Sequence, residues 1–140
     1  MLKECTLETT ILDEHLSQLQ LHRVLIPRDG NCLFRCIAAA VYCDQEKHMD
    51  LRTSMVAFIK AHWEDMQSML ADSSADEYAT TMGIDGMYAG EVEISALCEQ
   101  LDIHVQVYMG GLLSPVACRD YGQGSDQLVR VVYLADGQYD

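Results

Sequence analysis

The chain has 140 residues, 49% of them hydrophobic, with 9 Lys and Arg against 22 Asp and Glu for a formal net charge of −13. That length and apolar fraction support one packed core without disulfide staples and exclude a disordered chain. Nine scattered cations do not build a phosphate-backbone or anionic-membrane surface, so neither nucleic acid nor membrane is an expected partner, whereas basic partners are favoured.

Leu12, Leu16 and Leu19 recur at helical spacing, with Thr9 or Thr10 as caps, and predict a helix from Leu7 to Leu21. Residues 1–20 are read as an N-terminal helical arm ahead of a domain spanning 21–140. A short apolar stretch, Leu21 to Ile26, is stopped by Pro27, and Pro27-Arg28-Asp29-Gly30-Asn31 is a turn. From Cys32 or Leu33 to about Tyr42 the chain is apolar almost all round, which predicts a central, buried helix. Leu51, Met55, Phe58, Ile59 and His62 share one face of a helix over Met49–His62, and Trp63–Leu70 extends or restarts it.

The Asp72-Ser73-Ser74 cluster breaks that pattern, a short helix follows over Ala75–Met82, and Gly86–Gly90 is a loop. Glu91–Leu101 is an amphipathic helix. Ile103–Tyr108 alternates with period two, a strand with one wet face. After the Gly110-Gly111 turn, Leu112–Cys118 is a weaker strand, and the β-branched run Leu128–Leu134 reads as a central strand covered on both sides. Helices first and strands last predict an α+β fold, an α/β sandwich.

Cys36 to Cys43 is the longest apolar run of note, far short of the roughly 20 residues of a membrane span. The start, Met1-Leu2-Lys3-Glu4-Cys5, shows no secretory pattern, so an intracellular location, cytoplasmic or nuclear, is expected. Six cysteines (5, 32, 36, 43, 98 and 118) are then read as free thiols. Without a C-x-x-C pair or a zinc-finger histidine pair, no metal and no cofactor are expected.

The sharpest chemistry lies at Asp29-Gly30-Asn31-Cys32. A helix N-terminus offers unpaired N–H groups and a partial positive charge, which together favour a thiolate, so a low thiol pKa is expected at Cys32. The backbone N–H groups of Gly30, Asn31 and Cys32 are positioned to form an oxyanion hole. Taken alone, a lone cysteine at such a place is more often a small buried hydrophobe.

The whole string Asp29-Gly30-Asn31-Cys32-Leu33-Phe34-Arg35 closely resembles the nucleophile motif of the ovarian-tumour (OTU) family of cysteine proteases. Tyr88-Ala89-Gly90-Glu91 running into Glu93-Ile94-Ser95-Ala96-Leu97 looks like that family's second block, with Tyr88 where Trp is usual. Ile103–Tyr108 resembles its I-x-V strand, and Val131–Leu134 followed by Gly137-Gln138-Tyr139-Asp140 resembles its closing strand and catalytic motif. The resemblance implies an OTU-like fold with a small, mostly antiparallel sheet packed between helices. It implies Cys32 as nucleophile, Asp29 as support of the oxyanion loop and Asp140 as the acid that orients the base. The function implied is a cysteine isopeptidase, a monomer that removes ubiquitin from lysine through a thioester on Cys32, with ubiquitin or polyubiquitin as partner.

One position departs from the family pattern. Gln138 stands where the family's general-base histidine is expected, and a glutamine amide has no basic nitrogen near neutral pH. The alternative function is therefore an impaired OTU-fold pseudoenzyme that keeps ubiquitin or partner binding. His104, on the polar face of its strand, is the sequence's best substitute base, set against a plain solvent-facing residue. His62 suits a contact with a helix C-terminus, and His15 and His22 suit the surface. The acidic stretch from Asp72 to Glu77 reads as a solvated loop, and Cys36 as a core residue.

Overall fold

The structure is a computed structural model that describes residues 2–72, 74–109, 117–134 and 138–140. Helix α1 (Leu2–Gln18) opens the chain. It starts and stops earlier than the leucine spacing predicts. Gln20 enters the left-handed region (φ 59°), and the Leu21 N–H reaches back to the Leu16 carbonyl at 2.8 Å while Gln20 N–H reaches Ser17 O. This Schellman closure ends the helix and leaves Leu19 about half exposed.

Helix α2 (Cys32–Tyr42) has the expected bounds and buries Leu33, Phe34, Ile37 and Ala38 completely or nearly so. A one-turn 3-10 segment then leads into α3 (His48–Ala61), with Leu51, Met55 and Ile59 facing inward. The chain restarts, rather than extends, as the single turn α4 (Trp63–Met66). Helix α5 (Ala75–Met82) is capped by Ser74, whose hydroxyl accepts the Glu77 N–H at 3.1 Å. Helix α6 (Glu91–Leu101) opens where Glu93 turns back to accept the Gly90 N–H at 2.9 Å.

Among the described residues the sheet has three strands in the order β2-β1-β3. Its centre is β1 (Ile103–Met109), antiparallel to β2 (Ala117–Tyr121) and parallel to β3 (Gln127–Val132). The fold class is α+β, and the sheet is mixed, with one pairing of each sense. The sequence placed the central strand at Leu128–Leu134; β3 is instead an edge strand, with Leu128 39% exposed. A β-branched run is compatible with a half-covered edge as well as with a centre, so composition did not separate the two. Of the weaker strand expected over Leu112–Cys118, residues 112–116 lie outside the described residues, and the described part continues to Tyr121.

Ile103, Val105 and Val107 of β1 and Val129 and Val131 of β3 point into the main core, against α2, α3 and α6. On the opposite face Val132, with Leu134 beyond it, packs on Leu12 and Leu16 of α1, joined by Leu21 and Tyr108. The sheet is thus covered by helices on one face, and by α1 at one end of the other. After β3, residues 138–140 fold back antiparallel along its end: Val132 and Asp140 exchange two backbone hydrogen bonds (2.8 and 2.9 Å), and Leu134 N–H donates to Gln138 O. That return brings the last residues beneath the start of α2. Among the described residues, no helix is long and apolar enough to cross a membrane.

Candidate active site

The loop before α2 is held from three sides. Gly30 adopts φ +76°, and a Cβ there would sit 1.9 Å from the Gly86 carbonyl oxygen, so both the conformation and the close approach require glycine. Asp29 accepts the Asn31 N–H at 3.0 Å through one oxygen, and the Arg35 Nε and Nη2 at 2.9 and 2.7 Å through the other. Asn31 crosses to the neighbouring loop, donating to Asp85 at 2.7 Å and accepting the Gly86 N–H at 2.8 Å.

Arg52 ties these loops together. It is fully buried on α3 and donates to Asn31 Oδ1 (2.9 Å), Gly30 O (3.3 Å), Met82 O (2.9 Å) and Met87 O (2.8 Å), with its guanidinium 4.3 Å from the Phe34 ring centre. Sequence reasoning missed it. The signal was present: Arg52 adjoins Leu51 and has Met55, Val56 and Ile59 at +3, +4 and +7, a cation on an apolar stripe. A cation there needs several acceptors, and only a crossing of loops supplies them.

Cys32 lies at the first turn of α2 and is 2% exposed. Burial pushes its thiol up from the ordinary value, against backbone N–H groups that work the other way; the Asp29 charge adds to the rise. The expected low pKa does not hold, because desolvation of the thiolate outweighs the helix N-terminus. The Asn31 N–H, expected to face an oxyanion, is instead committed to Asp29. The N–H that does meet the sulfur comes from the far end of the chain: Tyr139 N–H donates to Cys32 Sγ at 3.4 Å.

The closing segment is buried and fully engaged. Gln138, 3% exposed, directs its amide nitrogen at Ile26 O (3.0 Å), Tyr139 O (2.9 Å) and Asp140 Oδ1 (2.9 Å). The other Asp140 oxygen accepts Arg23 Nη1 at 2.6 Å. The structure therefore brings Cys32, Gln138 and Asp140 to one place, with Asp29, Gly30 and Asn31 beside them.

His104 is not part of it. Its Nε2 meets Asp120 Oδ1 at 2.7 Å on the wet face of the sheet, shared with Gln106. It lies four residues before Tyr108, the β1 residue opposite Val132 and hence nearest the closing segment, a separation of about 13 Å along the strand. His62 caps α3 and contacts Phe58 O at 2.9 Å, His48 is buried at the start of that helix, and His22 is exposed. No histidine hydrogen-bonds to Cys32 or Asp140 among the described residues.

A cleft of about 610 Å³ opens beside the site. Its floor includes Val107 and Ile94, its walls carry Tyr88, Tyr121, Tyr133 and Tyr139, and Tyr139 joins it to Cys32. At the rim Glu91 accepts Arg119 at 2.5 Å and the Tyr121 hydroxyl at 2.8 Å. Tyr88, in the place where the resembled family has Trp, stands 56% exposed at this cleft. Among the described residues, no group of three or more His, Cys, Asp or Glu could hold a metal ion, and Cys32, Cys36, Cys43, Cys98 and Cys118 are free thiols.

The family model described as OTU-like cysteine protease matches residues 27–137. OTU domain-containing protein 1 of the mouse is 32% identical over 134 residues, covering 91% of this chain and 29% of the relative's own length. The chain thus spans under a third of that curated relative. The solved OTU domain of OTUD1 matches with a TM-score of 0.93 at 28% identity, over 99% of this chain and 96% of that one. An OTU domain solved in complex with ubiquitin shares the fold, with a TM-score of 0.73 at 18% identity over 84% of this chain and 66% of that one.

Proposed function

The chain belongs to the family of OTU-like cysteine proteases, and from that premise we propose that it binds ubiquitin at the cleft beside Cys32 while turning isopeptide bonds over far more slowly than a histidine at position 138 would allow. The observation that carries this reading is the buried Gln138 amide, whose nitrogen is spent on Ile26 O, Tyr139 O and Asp140 Oδ1.

Thioester formation needs a group that takes the thiol proton and later hands one to the leaving lysine amine. An amide nitrogen does neither at neutral pH. Asp140 does not replace it, since its two oxygens hold Gln138 and Arg23. The buried Cys32 thiol is itself shifted away from ionisation. Removing the base from such a unit costs about 10³-fold or more in rate, roughly 4 kcal/mol of barrier. Binding asks for none of this chemistry. The likeness to an OTU domain solved with ubiquitin supports ubiquitin as the occupant, and the aromatic cleft beside the thiol gives it a place to enter.

The isopeptidase reading keeps one specific support, the intact loop over Asp29, Gly30 and Asn31 that presents Cys32. A panel of diubiquitins incubated with the chain, with Gln138→His and with Cys32→Ala separates the two. The expected result is ubiquitin binding by all three, cleavage by Gln138→His at least about 10³-fold faster than by the unaltered chain, and none by Cys32→Ala. Cleavage by the unaltered chain at a rate close to that of Gln138→His, abolished by Cys32→Ala, restores the isopeptidase reading. No binding by any version removes ubiquitin as the partner.

A further inference from the structure

The site's acid is held from outside the segment that the family model matches. Asp140 is buried, its side chain 3% exposed, and a carboxylate so placed needs strong partners. Gln138 offers Oδ1 a neutral N–H at 2.9 Å, whereas Arg23 offers Oδ2 a charged one at 2.6 Å, the stronger of the two by kind. Arg23 is not free to choose its direction. Its Nε and Nη2 engage both oxygens of Asp13 on α1, at 3.2 and 3.4 Å. A planar guanidinium gripped on two of its three nitrogens has its third direction fixed.

The apolar contacts of α1 reach the same segment. Leu12 and Leu16 pack on Val132 and Leu134. Those are the residues whose backbones pair with Asp140 and Gln138. Polar and apolar contacts of α1 therefore converge on one three-residue return. A small cavity of about 100 Å³ lined by Leu16, Arg23, Tyr108, Val132 and Asp140 lies at this junction, so the polar contacts rather than dense packing set the Arg23 position.

We propose that α1 is a working part of the site, holding Arg23 through Asp13 so that Arg23 fixes the Asp140 carboxylate, which makes Arg23 a positioning residue for position 138. The role given to Asp140 rests on the reading above; the contacts do not. Releasing α1 leaves Asp140 to Gln138 and its ladder with Val132, and so loosens the return that carries the Tyr139 N–H to the Cys32 sulfur.

Two readouts test this. In the Gln138→His background, Arg23→Gln lowers kcat on a ubiquitin substrate roughly tenfold while KM stays within about twofold, and Arg23→Lys recovers part of the loss. In the chain as it stands, iodoacetamide alkylation of Cys32 is followed against pH by mass spectrometry of its peptide, which needs neither ubiquitin nor turnover. Arg23→Gln and the milder Asp13→Asn, at a half-exposed side chain, both move the midpoint to higher pH as the Tyr139 N–H is lost and the Asp140 charge is left unbalanced. Unchanged midpoints in both variants overturn the proposal. A shift with Arg23→Gln and none with Asp13→Asn overturns the part played by α1. If Gln138→His is inactive in every background, the reading that Gln138 alone slows turnover fails, and the alkylation midpoints alone decide this one.

Discussion

The two halves of the site, the loop over residues 29–32 and the return over 138–140, are both held by several hydrogen bonds and differ in chemistry. The loop is fixed by Arg52, by the Asp29 carboxylate and by the approach of Gly30 to Gly86. The return is fixed by its ladder with Val132, by Ile26 O and by Arg23. On the loop side every group is of the kind a thiol nucleophile uses. On the return side the hydrogen bonds are in place, but the atom that makes them has no proton affinity to offer. An amide N–H and an imidazole N–H both donate to a carboxylate, so the bond to Asp140 Oδ1 by itself does not distinguish Gln from His there. Architecture and proton transfer are separate requirements, and this chain meets the first on both sides and the second on neither.

The largest effect that sharpens this comparison is on the loop side. Arg52→Met leaves Met82 O, Met87 O and Gly30 O without their Arg52 donor, and Asn31 Oδ1 with the Gly86 N–H alone. We expect a loss of about 3–5 kcal/mol of stability, from several buried acceptors left unpaired at once, and a Tm lower by roughly 10 °C. Arg52→Lys recovers less than half, because a point charge does not reach four acceptors in a plane. A Tm within about 3 °C of the unaltered chain would show that the loops are held without Arg52.

The return side breaks more gently. Gln138→Ala strands Ile26 O and Asp140 Oδ1, at a cost of about 1–3 kcal/mol. Gln138→His costs less than Gln138→Ala, because its Nδ1–H replaces the bond to Asp140. Paired urea titrations of the two variants measure the difference directly. Equal losses would mean that the return does not accept an imidazole, and that its likeness to a catalytic motif is in sequence only.

The loop side was also the more legible of the two in the sequence. Gly30, Asn31 and Cys32 sit in a contiguous turn-to-helix string, and local rules for glycine, caps and helix ends apply within it. The helices α2, α5 and α6 fall where the local sequence puts them, for the same reason. The return was legible only by resemblance, since Gln138 acquires its meaning from Ile26 and Asp140, the first of them 112 residues away. Arg52 and Arg23 were missed on similar grounds. Each is an ordinary surface-type residue until the fold closes acceptors around it. The Cys32 thiol was misjudged because helix position is local, whereas the burial that outweighs it comes from the core that closes around the helix start.

The smallest effect returns to the loop, where Asp29 tests how much of its order is electrostatic. Burial works to raise the Asp29 carboxyl, but the hydrogen bonds from Arg35 and from Asn31 N–H outweigh it and hold the group below the ordinary aspartate value. A carboxyl with a lowered folded pKa adds stability above its unfolded pKa and loses it as pH falls through the folded one. The side chain is about one-third exposed, so solvent screening keeps the contribution below about 1 kcal/mol. Asp29→Asn keeps an acceptor for the Asn31 N–H but loses the charge that Arg35 meets. The unaltered chain should therefore be slightly more stable than Asp29→Asn across pH 6 to 8, and the gap should begin to narrow near pH 4 and go on narrowing as the pH falls through the lowered folded value. Urea unfolding at pH 7 and at pH 3.5 measures it. A gap that stays constant between the two would assign the order of the loop to Gly30 and Arg52 alone, and leave the Asp29 carboxylate with its effect on the neighbouring thiol, which it pushes away from ionisation.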